Sequence, residues 1–379
     1  MRITINPEVL QWAINRSGVQ QLLYDKFPKL DEWLSLESQP TFRQIEKFSK
    51  AASVPFGYLV LDTPPDDSLP IPHYRTIKNK DISKTSPNLF ETVISIMGRQ
   101  EWLRDFLIER GGEPLNYVGS ANKNQSAQEI ARDIRSTLHL QNDWASKERT
   151  WLDALKLLHA KMENIGIQIV VNGVVGNNTH RVLDPNEFRG FVLVDEYAPF
   201  VFVNGADYKA AQMFTLAHEL AHVWLGSSAA FDLRQMQAAE NEIERLCDLI
   251  AAEFLVPAED LDDQWEKIKS QEDPFQAIAR IYKVSSIVGA RRALDLGFIT
   301  KPQFFEFYDL WKADQVRLKK KRKSGGDFFL NQPYRAGRKF TEAVVIASRE
   351  GSLLYRDAYN LTGLYGKSFD KFVTETLGY

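Results

Sequence analysis

The pattern of apolar and polar residues changes several times along the chain. From Pro7 to Leu61, apolar residues recur every three or four positions between glycines and prolines, so this part predicts short helices. The predicted helices are Pro7 to Arg16, Gln20 to Phe27, Leu30 to Leu36, Phe42 to Ala52 and Gly57 to Leu61.

Longer stretches with helical spacing follow, and then the pattern switches to strands. The predicted helices are Pro87 to Glu109, Ala127 to Leu138 and Lys147 to Asn164. After Gly166, short apolar runs rich in β-branched and aromatic residues are typical of strands. The predicted strands are Ile167 to Val171, Gly190 to Asp195 and Pro199 to Asn204.

The stretch from Ala210 to Gly226 is apolar around almost the whole circumference of a helix and contains no proline. A helix that is apolar on all sides belongs inside a domain. We therefore predict a buried helix here, and Gly226 stands where that helix would end.

This predicted helix carries the motif His218-Glu219-x-x-His222. Its two histidines lie one turn apart on the same face, and Glu219 lies about a third of a turn away. In sites of this type the two imidazoles bind Zn²⁺, and the carboxylate acts on the attacking water. The alternative is a core helix with two histidines, but a buried ionised carboxylate beside them is costly unless a metal compensates.

A catalytic zinc needs a third protein ligand, and the stretch from Glu240 to Pro257 offers candidates. Its apolar residues have roughly helical spacing, so Glu244 and Asp248 share one face of a predicted helix. One of the two can bind the metal while the other accepts a hydrogen bond from a ligand histidine. For either carboxylate, the alternative is a solvated charge on the helix surface.

Three motifs follow one another between residues 150 and 260. They are Phe188-Arg189-Gly190-Phe191 with Ala198 to Asn204, then Phe214 to His222, then Glu244-x-x-Cys247-Asp248-x-x-Ala251 through Pro257. Together they resemble the ImmA/IrrE family of zinc metallopeptidases. The resemblance implies a fold similar to thermolysin-type zincins and a protein that cleaves or controls a regulatory partner.

The same resemblance implies that His218, His222 and Glu244 bind zinc and that Glu219 is the catalytic base. This chain has Cys247-Asp248 where Ala-Asn is common in the family. Asp248 keeps the hydrogen-bond acceptor, and Cys247 is a small change for Ala. The implied zinc site is therefore unaffected, with Asp248 as the partner of a ligand histidine.

Near the start of the chain, the order of residues from Leu30 to Ala51 resembles a degenerate helix-turn-helix of the XRE class. A recognition helix that reads DNA is rich in positive charge, whereas Lys29 to Glu37 is net acidic and would repel phosphates. We therefore favour an interaction or dimerisation module over DNA binding for this part.

A second helix-turn-helix-like pattern runs from Phe275 to Asp295. The alternative is a helical pair packed on the preceding domain. A basic run from Arg317 to Lys323 is also compatible with phosphate binding, although such runs are usually solvated. The nucleic-acid candidates are Arg291, Arg292, Lys319, Lys320, Lys321 and Arg322.

Hydrolysis of an amide also requires a donor for the developing oxyanion. The candidates are His180 and Arg181, in a predicted loop, and Tyr208. An edge strand can hold a peptide substrate as an added strand, and Phe188 to Val194 or Val201 to Asn204 could supply it. A purely structural sheet is the alternative.

Length, composition and net charge limit the classes of protein to which this sequence can belong. At 379 residues the chain is too long for one ordinary core, and 44% apolar and 12% aromatic residues are typical of folded proteins. A net charge of −3 argues against a general polyanion binder, and a single cysteine rules out an internal disulfide framework. We see no leader peptide and no apolar run of transmembrane length, so we expect a soluble, cytoplasmic protein without membrane partners.

We therefore expect an α+β fold, in which a zincin-like metallopeptidase core follows an N-terminal helical domain and precedes a helical C-terminal extension. The expected domains are residues 1–62 (XRE-like helix-turn-helix), 63–86 (Pro-rich linker), 87–272 (metallopeptidase), 273–323 (helix-turn-helix-like) and 324–379 (C-terminal extension). Either a monomer or an oligomer fits the sequence.

The predicted function is that of a zinc-dependent endopeptidase. It would cleave a repressor or antitoxin-like partner, for example one encoded nearby, in a stress, phage or mobile-element response. The alternative is a non-proteolytic regulator whose zincin fold and helix-turn-helix domain hold DNA or a cognate toxin.

Overall fold

The structure is a computed structural model that describes residues 2–65, 86–231, 238–319, 334–376 and 378. The described chain is mostly helical with a small sheet, so the α+β class is confirmed. It divides into two compact units, the first containing residues 2–65 and 86–94 and the second beginning at residue 95. Among the described residues, no helix is both long and apolar enough to cross a membrane.

The N-terminal unit is built from short helices around its own core. They are α1 (Pro7–Ser17), α2 (Gln20–Lys26), α3 (Leu30–Leu34) and α4 (Phe42–Ala52), followed by a 3-10 turn at Phe56–Val60. The predicted bounds of α4 are confirmed, since Thr41 and Gln44 form a capping box at its start. Helix α3 is shorter than predicted and ends before Leu36, which has a φ of 61°.

The remaining helices form the second unit and the segment that leads into it. They are α5 (Pro87–Glu109), α6 (Ala127–Thr137), α7 (Trp151–Asn164), α8 (Lys209–Phe231), α9 (Ala238–Leu255), α10 (Ala258–Ile268), α11 (Pro274–Tyr282), α12 (Ser286–Asp295), α13 (Lys301–Lys319), α14 (Arg338–Arg349), α15 (Tyr355–Thr362) and α16 (Lys367–Thr376). The predicted bounds of α5 are confirmed.

Two small sheets lie between α7 and α8. The strands are β1 (Gln168–Asn172), β2 (Val174–Val175), β3 (Asn178–Val182), β4 (Gly190–Leu193) and β5 (Phe200–Asn204). In the three-stranded sheet β5 is central, parallel to β1 and antiparallel to β4. Because β5 is paired on both sides, the expectation that Val201 to Asn204 could bind a substrate strand is wrong, and β4 is an edge strand instead.

The hairpin of β2 and β3 was not predicted. His180 and Arg181 lie in strand β3, so their expected place in a loop is wrong. Strand β3 is mostly exposed and has polar residues at most positions, so it lacks the apolar alternation by which strands are recognised in a sequence.

Helix α8 forms the centre of the second unit, and its residues from Leu216 to Gly226 are buried. The helix continues to Phe231, so the predicted end at Gly226 is wrong. Gly226 is explained by packing, because a Cβ atom there would collide with the side chain of Val194. The glycine therefore permits close approach of the chain after β4, and it does not end the helix.

Helices α11 and α12 pack on the second unit with a turn at residues 283–285. Gly289 in α12 lies against Ile278 in α11, where an added Cβ would be 2.9 Å from the Ile278 Cγ2 atom. The two predicted helices are thus confirmed, and several of their residues belong to the main core. The sequence analysis gave such a packed helical pair as the alternative to a DNA-binding helix-turn-helix.

Arg292 is 5% exposed and forms an ion pair with Glu253 of α9. Its Nε also donates to the Val256 carbonyl oxygen at 2.9 Å. The expectation that Arg292 contacts nucleic acid is therefore wrong, because its guanidinium is committed to the protein interior. Arg291 is exposed and pairs with Asp295. The Lys319 side chain and residues Lys320, Lys321 and Arg322 lie outside the described part of the chain.

Replacing Arg292 with Ala should lower the free energy of unfolding by about 3–5 kcal/mol, because Glu253 would be left as a buried, unpaired charge. Arg291→Ala is the matched control, and its exposed position should limit the change to about 0.5 kcal/mol. Urea denaturation of both variants measures these differences. Equal losses would contradict a structural role specific to Arg292.

Candidate metal centre

The candidate metal centre lies where helices α8 and α9 pack against each other. Residues on the inner faces of both helices, including Leu220 of α8 and Ile250 of α9, belong to one buried core. His218 and His222 are one turn apart on α8, and Glu244 and Asp248 are one turn apart on α9. The packing of two helices therefore brings two pairs of polar side chains together.

Three side chains converge on one point of this interface. The Nε2 atoms of His218 and His222 are 3.2 Å apart. One Glu244 oxygen lies 3.1 Å from the His218 Nε2 atom, and the other lies 3.2 Å from the His222 Nε2 atom. His218 and His222 are buried and Glu244 is half-buried, so the third side chain is accessible from outside the core.

Asp248 contacts the opposite side of the His218 ring. Its Oδ1 atom is 3.0 Å from Nδ1 of His218. A proton on Nδ1 would be donated to this carboxylate, so that Nε2 faces the convergence point. In the metal-free chain Nε2 can donate to Glu244, and loss of its proton frees the lone pair for a metal ion. Asp248 therefore fixes both the tautomer and the orientation of His218.

The pKa values of the two histidines are shifted in opposite directions. Burial disfavours the charged form of His218, but its hydrogen bonds with Asp248 and Glu244 outweigh burial and raise its pKa to about 9. For His222, burial dominates and lowers the pKa. For Glu244, burial opposes ionisation, but hydrogen bonds with the two histidines hold the pKa far below its usual range.

These donor atoms fit a tetrahedral metal ion. Ligand atoms about 2.0–2.1 Å from a tetrahedral Zn²⁺ are separated from one another by about 3.3 Å. The separation of 3.2 Å between the two Nε2 atoms agrees with one edge of such a site. The two Glu244 oxygens each lie 3.1–3.2 Å from one of these nitrogens, and one ligand atom from each residue lies within 4.8 Å of the other two. Two imidazoles and one carboxylate also match the donor set of catalytic zinc sites that leave a fourth position open.

Glu219 lies beside this cluster and beside the edge strand β4. Its side chain is buried, and it follows His218 directly on α8. A Cβ atom built on Gly190 would lie 3.4 Å from the Glu219 Oε1 atom and 2.5 Å from the Thr215 Cγ2 atom. Glycine at position 190 thus allows the backbone of β4 to lie directly against the helix that carries the predicted base.

The three oxyanion candidates lie on other elements. His180 is exposed on strand β3, and Arg181 is its half-buried neighbour. Tyr208 immediately precedes α8, ten residues before His218, which corresponds to about 15 Å of helical rise. The roles of these three residues stay predictions.

Two features of the site were missed in the sequence. Gly190 was noticed as part of a family motif, although an isolated glycine in a strand is itself a signal of close backbone approach. Gln100 of α5 donates from Nε2 to the carbonyl oxygens of Leu193 and Ala198, which fixes the connection between β4 and β5. No local pattern marks this glutamine, because its partners are distant in sequence.

Comparison with known proteins places the centre within a family domain. Residues 162–294 match the model described as the IrrE N-terminal-like domain (Peptidase M78), and residues 336–375 match a domain of unknown function, DUF8813. A Mycobacterium tuberculosis transcriptional regulator of known structure has 17% identity and a TM-score of 0.30, and the match covers 51% of each chain. The chain thus spans about half the length of that regulator. A search of curated proteins gave no match.

The purified chain should bind about one Zn²⁺, and His222→Ala should abolish binding, because two side chains would remain as ligands. Glu244→Ala should also empty the site, whereas Asp248→Ala should weaken affinity by about 10–100-fold, since it leaves the ligand number unchanged. Competition with a chromogenic chelator measures these affinities, with Glu242→Ala as an exposed control on α9. Complete loss in Asp248→Ala with retention in Glu244→Ala would reverse the two roles.

Gly190→Ala should lower the free energy of unfolding by about 1–3 kcal/mol, because the new methyl group would overlap the Thr215 Cγ2 atom and the Phe202 carbonyl oxygen. Thr215→Ser removes that methyl group, so the double variant should regain part of the loss. Denaturation of the two single variants and the double variant gives the coupling between the positions. Strictly additive effects would contradict a direct contact between positions 190 and 215.

Proposed function

Because residues 162–294 form an IrrE N-terminal-like domain, we propose that this chain is a zinc-dependent endopeptidase that cleaves a regulatory partner protein. The observation that supports this proposal is that one ligand atom from each of His218, His222 and Glu244 lies within 4.8 Å of the other two. The two histidines and the neighbouring Glu219 are buried. Members of this family are peptidase-like proteins or regulators, so a regulatory substrate is consistent with the match.

The chemistry divides between the metal and the protein. Bound Zn²⁺ would act as a Lewis acid that polarises the scissile carbonyl group and activates water. His218, His222 and Glu244 would hold it, and Asp248 would keep the His218 ring in the required tautomer through the 3.0 Å contact. The surrounding apolar helices reduce access of bulk water, which strengthens the electrostatic interactions at the site.

Glu219 is the proposed general base and acid. Its carboxylate takes a proton from the attacking water and then delivers that proton to the nitrogen of the leaving amine. Burial on α8 restricts its side chain, and the neighbouring backbone of Gly190 restricts it further. The same carboxylate can therefore serve both proton transfers without a large movement.

The proposed substrate is an extended peptide segment that pairs with β4. The Asn204 N–H donates to the Arg189 carbonyl oxygen at 2.7 Å, which sets the alternation of the antiparallel ladder. In that alternation, the N–H and C=O groups of Gly190 and Val192 point away from β5. A peptide strand that binds there runs past Glu219, because a Cβ atom built on Gly190 would lie 3.4 Å from the Glu219 Oε1 atom.

The alternative function, a non-proteolytic regulator, is favoured by one observation. The N-terminal helices have a core of their own, including Leu10, Trp33 and Phe48, in a unit that contains none of the predicted metal ligands. Such a unit can bind a partner independently of any hydrolysis. Helix α3 has five residues and exposes Asp31, so a protein partner fits this unit better than DNA.

Glu219→Gln should keep the fold and the bound zinc but lose peptide cleavage, because it removes the proton acceptor and retains the shape of the side chain. Glu242→Gln, an exposed change on α9, should keep full activity. Both variants and the parent protein would be incubated with a proteome-derived peptide library, with the products read by mass spectrometry. Metal content and thermal unfolding serve as controls.

Equal cleavage by the Glu219→Gln variant would refute the assignment of the base. A parent protein that binds zinc but cleaves no peptide and no co-expressed repressor would favour the regulator instead.

A further inference from the structure

Strand β4 runs alongside α8 past the metal ligands. At one end of β4, a Cβ atom built on Gly190 would contact Thr215 and Glu219 of α8. At the other end, Val194, which directly follows β4, lies against Gly226 of α8. Four residues of strand and about nine residues of helix both span about 13 Å, so the two elements keep the same direction and stay in contact along this length.

The two histidines of the metal centre lie within this length. Gly226 follows His222 by four residues and His218 by eight, so it lies about 6 Å beyond His222 along the helix axis. Around the helix, Gly226 is about 40° from His222 and about 20° from Glu219. The surface of α8 that meets Val194 is therefore the continuation of the surface that carries the predicted ligands and the predicted base.

The contact with α8 covers the apolar side chain of Val194 only in part. Val194 is 37% exposed, whereas Val192, the preceding residue on the same face of the strand, is 9% exposed. Gly226 is buried and has no side chain that could cover Val194 further. An accessible apolar surface is therefore present one helical turn beyond the second histidine.

The charged residue next to Val194 is committed to other contacts. The Oδ1 atom of Asp195 accepts hydrogen bonds from the N–H groups of Tyr197 and Ala198 at 2.9 and 2.8 Å. Its Oδ2 atom lies 3.7 Å from Nη1 of Arg104 on α5. Asp195 therefore does not offer its charge to a ligand at Val194, and an apolar group suits this position better than a basic one.

We propose that Val194, packed on Gly226, is the wall of a subsite that binds an apolar side chain of a peptide held along β4. Side chains of paired strands stand next to each other on the same face, so a substrate side chain that faces α8 beyond His222 meets Val194. A distance of about 6 Å assigns this side chain to the first or second residue from the scissile bond, since each residue of an extended chain spans about 3.3 Å. The inference rests on the proposed function, because the peptide must lie along β4.

The experiment measures binding of zinc-binding probes to the zinc-loaded, full-length chain by calorimetry. Each probe is a hydroxamate joined to Leu-Leu or to Ala-Ala, on either the amino or the carboxyl side of the peptide. Acetohydroxamate, which has no side chain, is the control for the metal centre. In one of the two series, the Leu-Leu probe should bind at least about tenfold more tightly than the Ala-Ala probe, because the larger apolar side chain buries more surface against Val194.

Val194→Asp should reduce this preference to less than about threefold, because a carboxylate in the wall disfavours burial of a leucine side chain. The affinity for acetohydroxamate should stay within about twofold, since the metal ligands are unchanged. Val194→Thr keeps the shape of the side chain and should give an intermediate preference. Val182→Asp is the matched control, since Val182 is 57% exposed on strand β3, and it should keep the parent preference.

Thermal unfolding checks that each variant is folded, and Val194→Thr decides the question if Val194→Asp is not. A parent chain without a preference for Leu-Leu, or a folded Val194 variant that keeps the full preference, would overturn the subsite. Loss of the preference in Val182→Asp would also overturn it, because the effect would then not be specific to Val194.

The same measurements separate the subsite from the proposed activity. A parent chain that binds no hydroxamate, acetohydroxamate included, would refute the metal centre and the subsite together. A chain that prefers Leu-Leu, loses the preference in the Val194 variants and yet cleaves no peptide would refute the peptidase activity alone and support the subsite.

Discussion

The second unit depends on one packing constraint, the burial of polar side chains between α8 and α9. An apolar helix such as α8 is stable when it is surrounded by other elements, and α9 covers it together with α6 and α7. Two imidazoles and a glutamate within that interface lose their hydration, so their burial requires compensation. Mutual hydrogen bonds provide part of it, and the donor geometry allows a metal ion to provide the rest.

The position of the sheet also follows from the need to cover the apolar helix α8. Strands β4 and β5 lie against α8, and the close approach depends on positions where a side chain would not fit. Gly190 makes room beside Thr215 and Glu219, and Gly226 makes room for Val194. The two glycines thus control how near the sheet lies to the helix that carries the histidines.

Local patterns predicted much of this architecture. The bounds of α4 and α5, the helical pair α11–α12 and the three main strands all follow from apolar spacing, because burial of one face imposes that spacing. The motif His218-Glu219-x-x-His222 also pointed to the side-chain cluster described here, since the spacing of its two histidines is set within a single helix. Glu244 and Asp248 were candidates by the same local reasoning, although their contact with His218 depends on packing between two helices.

What could not be predicted depends on partners distant in sequence. Arg292 is a cationic residue of the kind that contacts phosphates. In the structure it pairs in the interior with Glu253, which lies 39 positions away in the sequence. Gly226 stands where the sequence predicts the end of a helix. In the structure a side chain at this position would collide with Val194, which explains the glycine. Strand β3 is polar and exposed, so no apolar alternation marked it. In each case the deciding neighbour belongs to another element.

Two hydrogen bonds of α6, one buried and one partly exposed, have a kinetic consequence. Asp133 of α6 accepts a hydrogen bond from the indole of Trp224 on α8, and Arg135 of α6 donates to the Glu253 carbonyl oxygen at the end of α9. Because α8 and α9 also pack on each other, the three helices form a closed triangle, and we expect them to open together in local unfolding. Fluctuations that expose a single helix are suppressed, so His218 and Glu244 separate on the timescale at which the whole triangle opens.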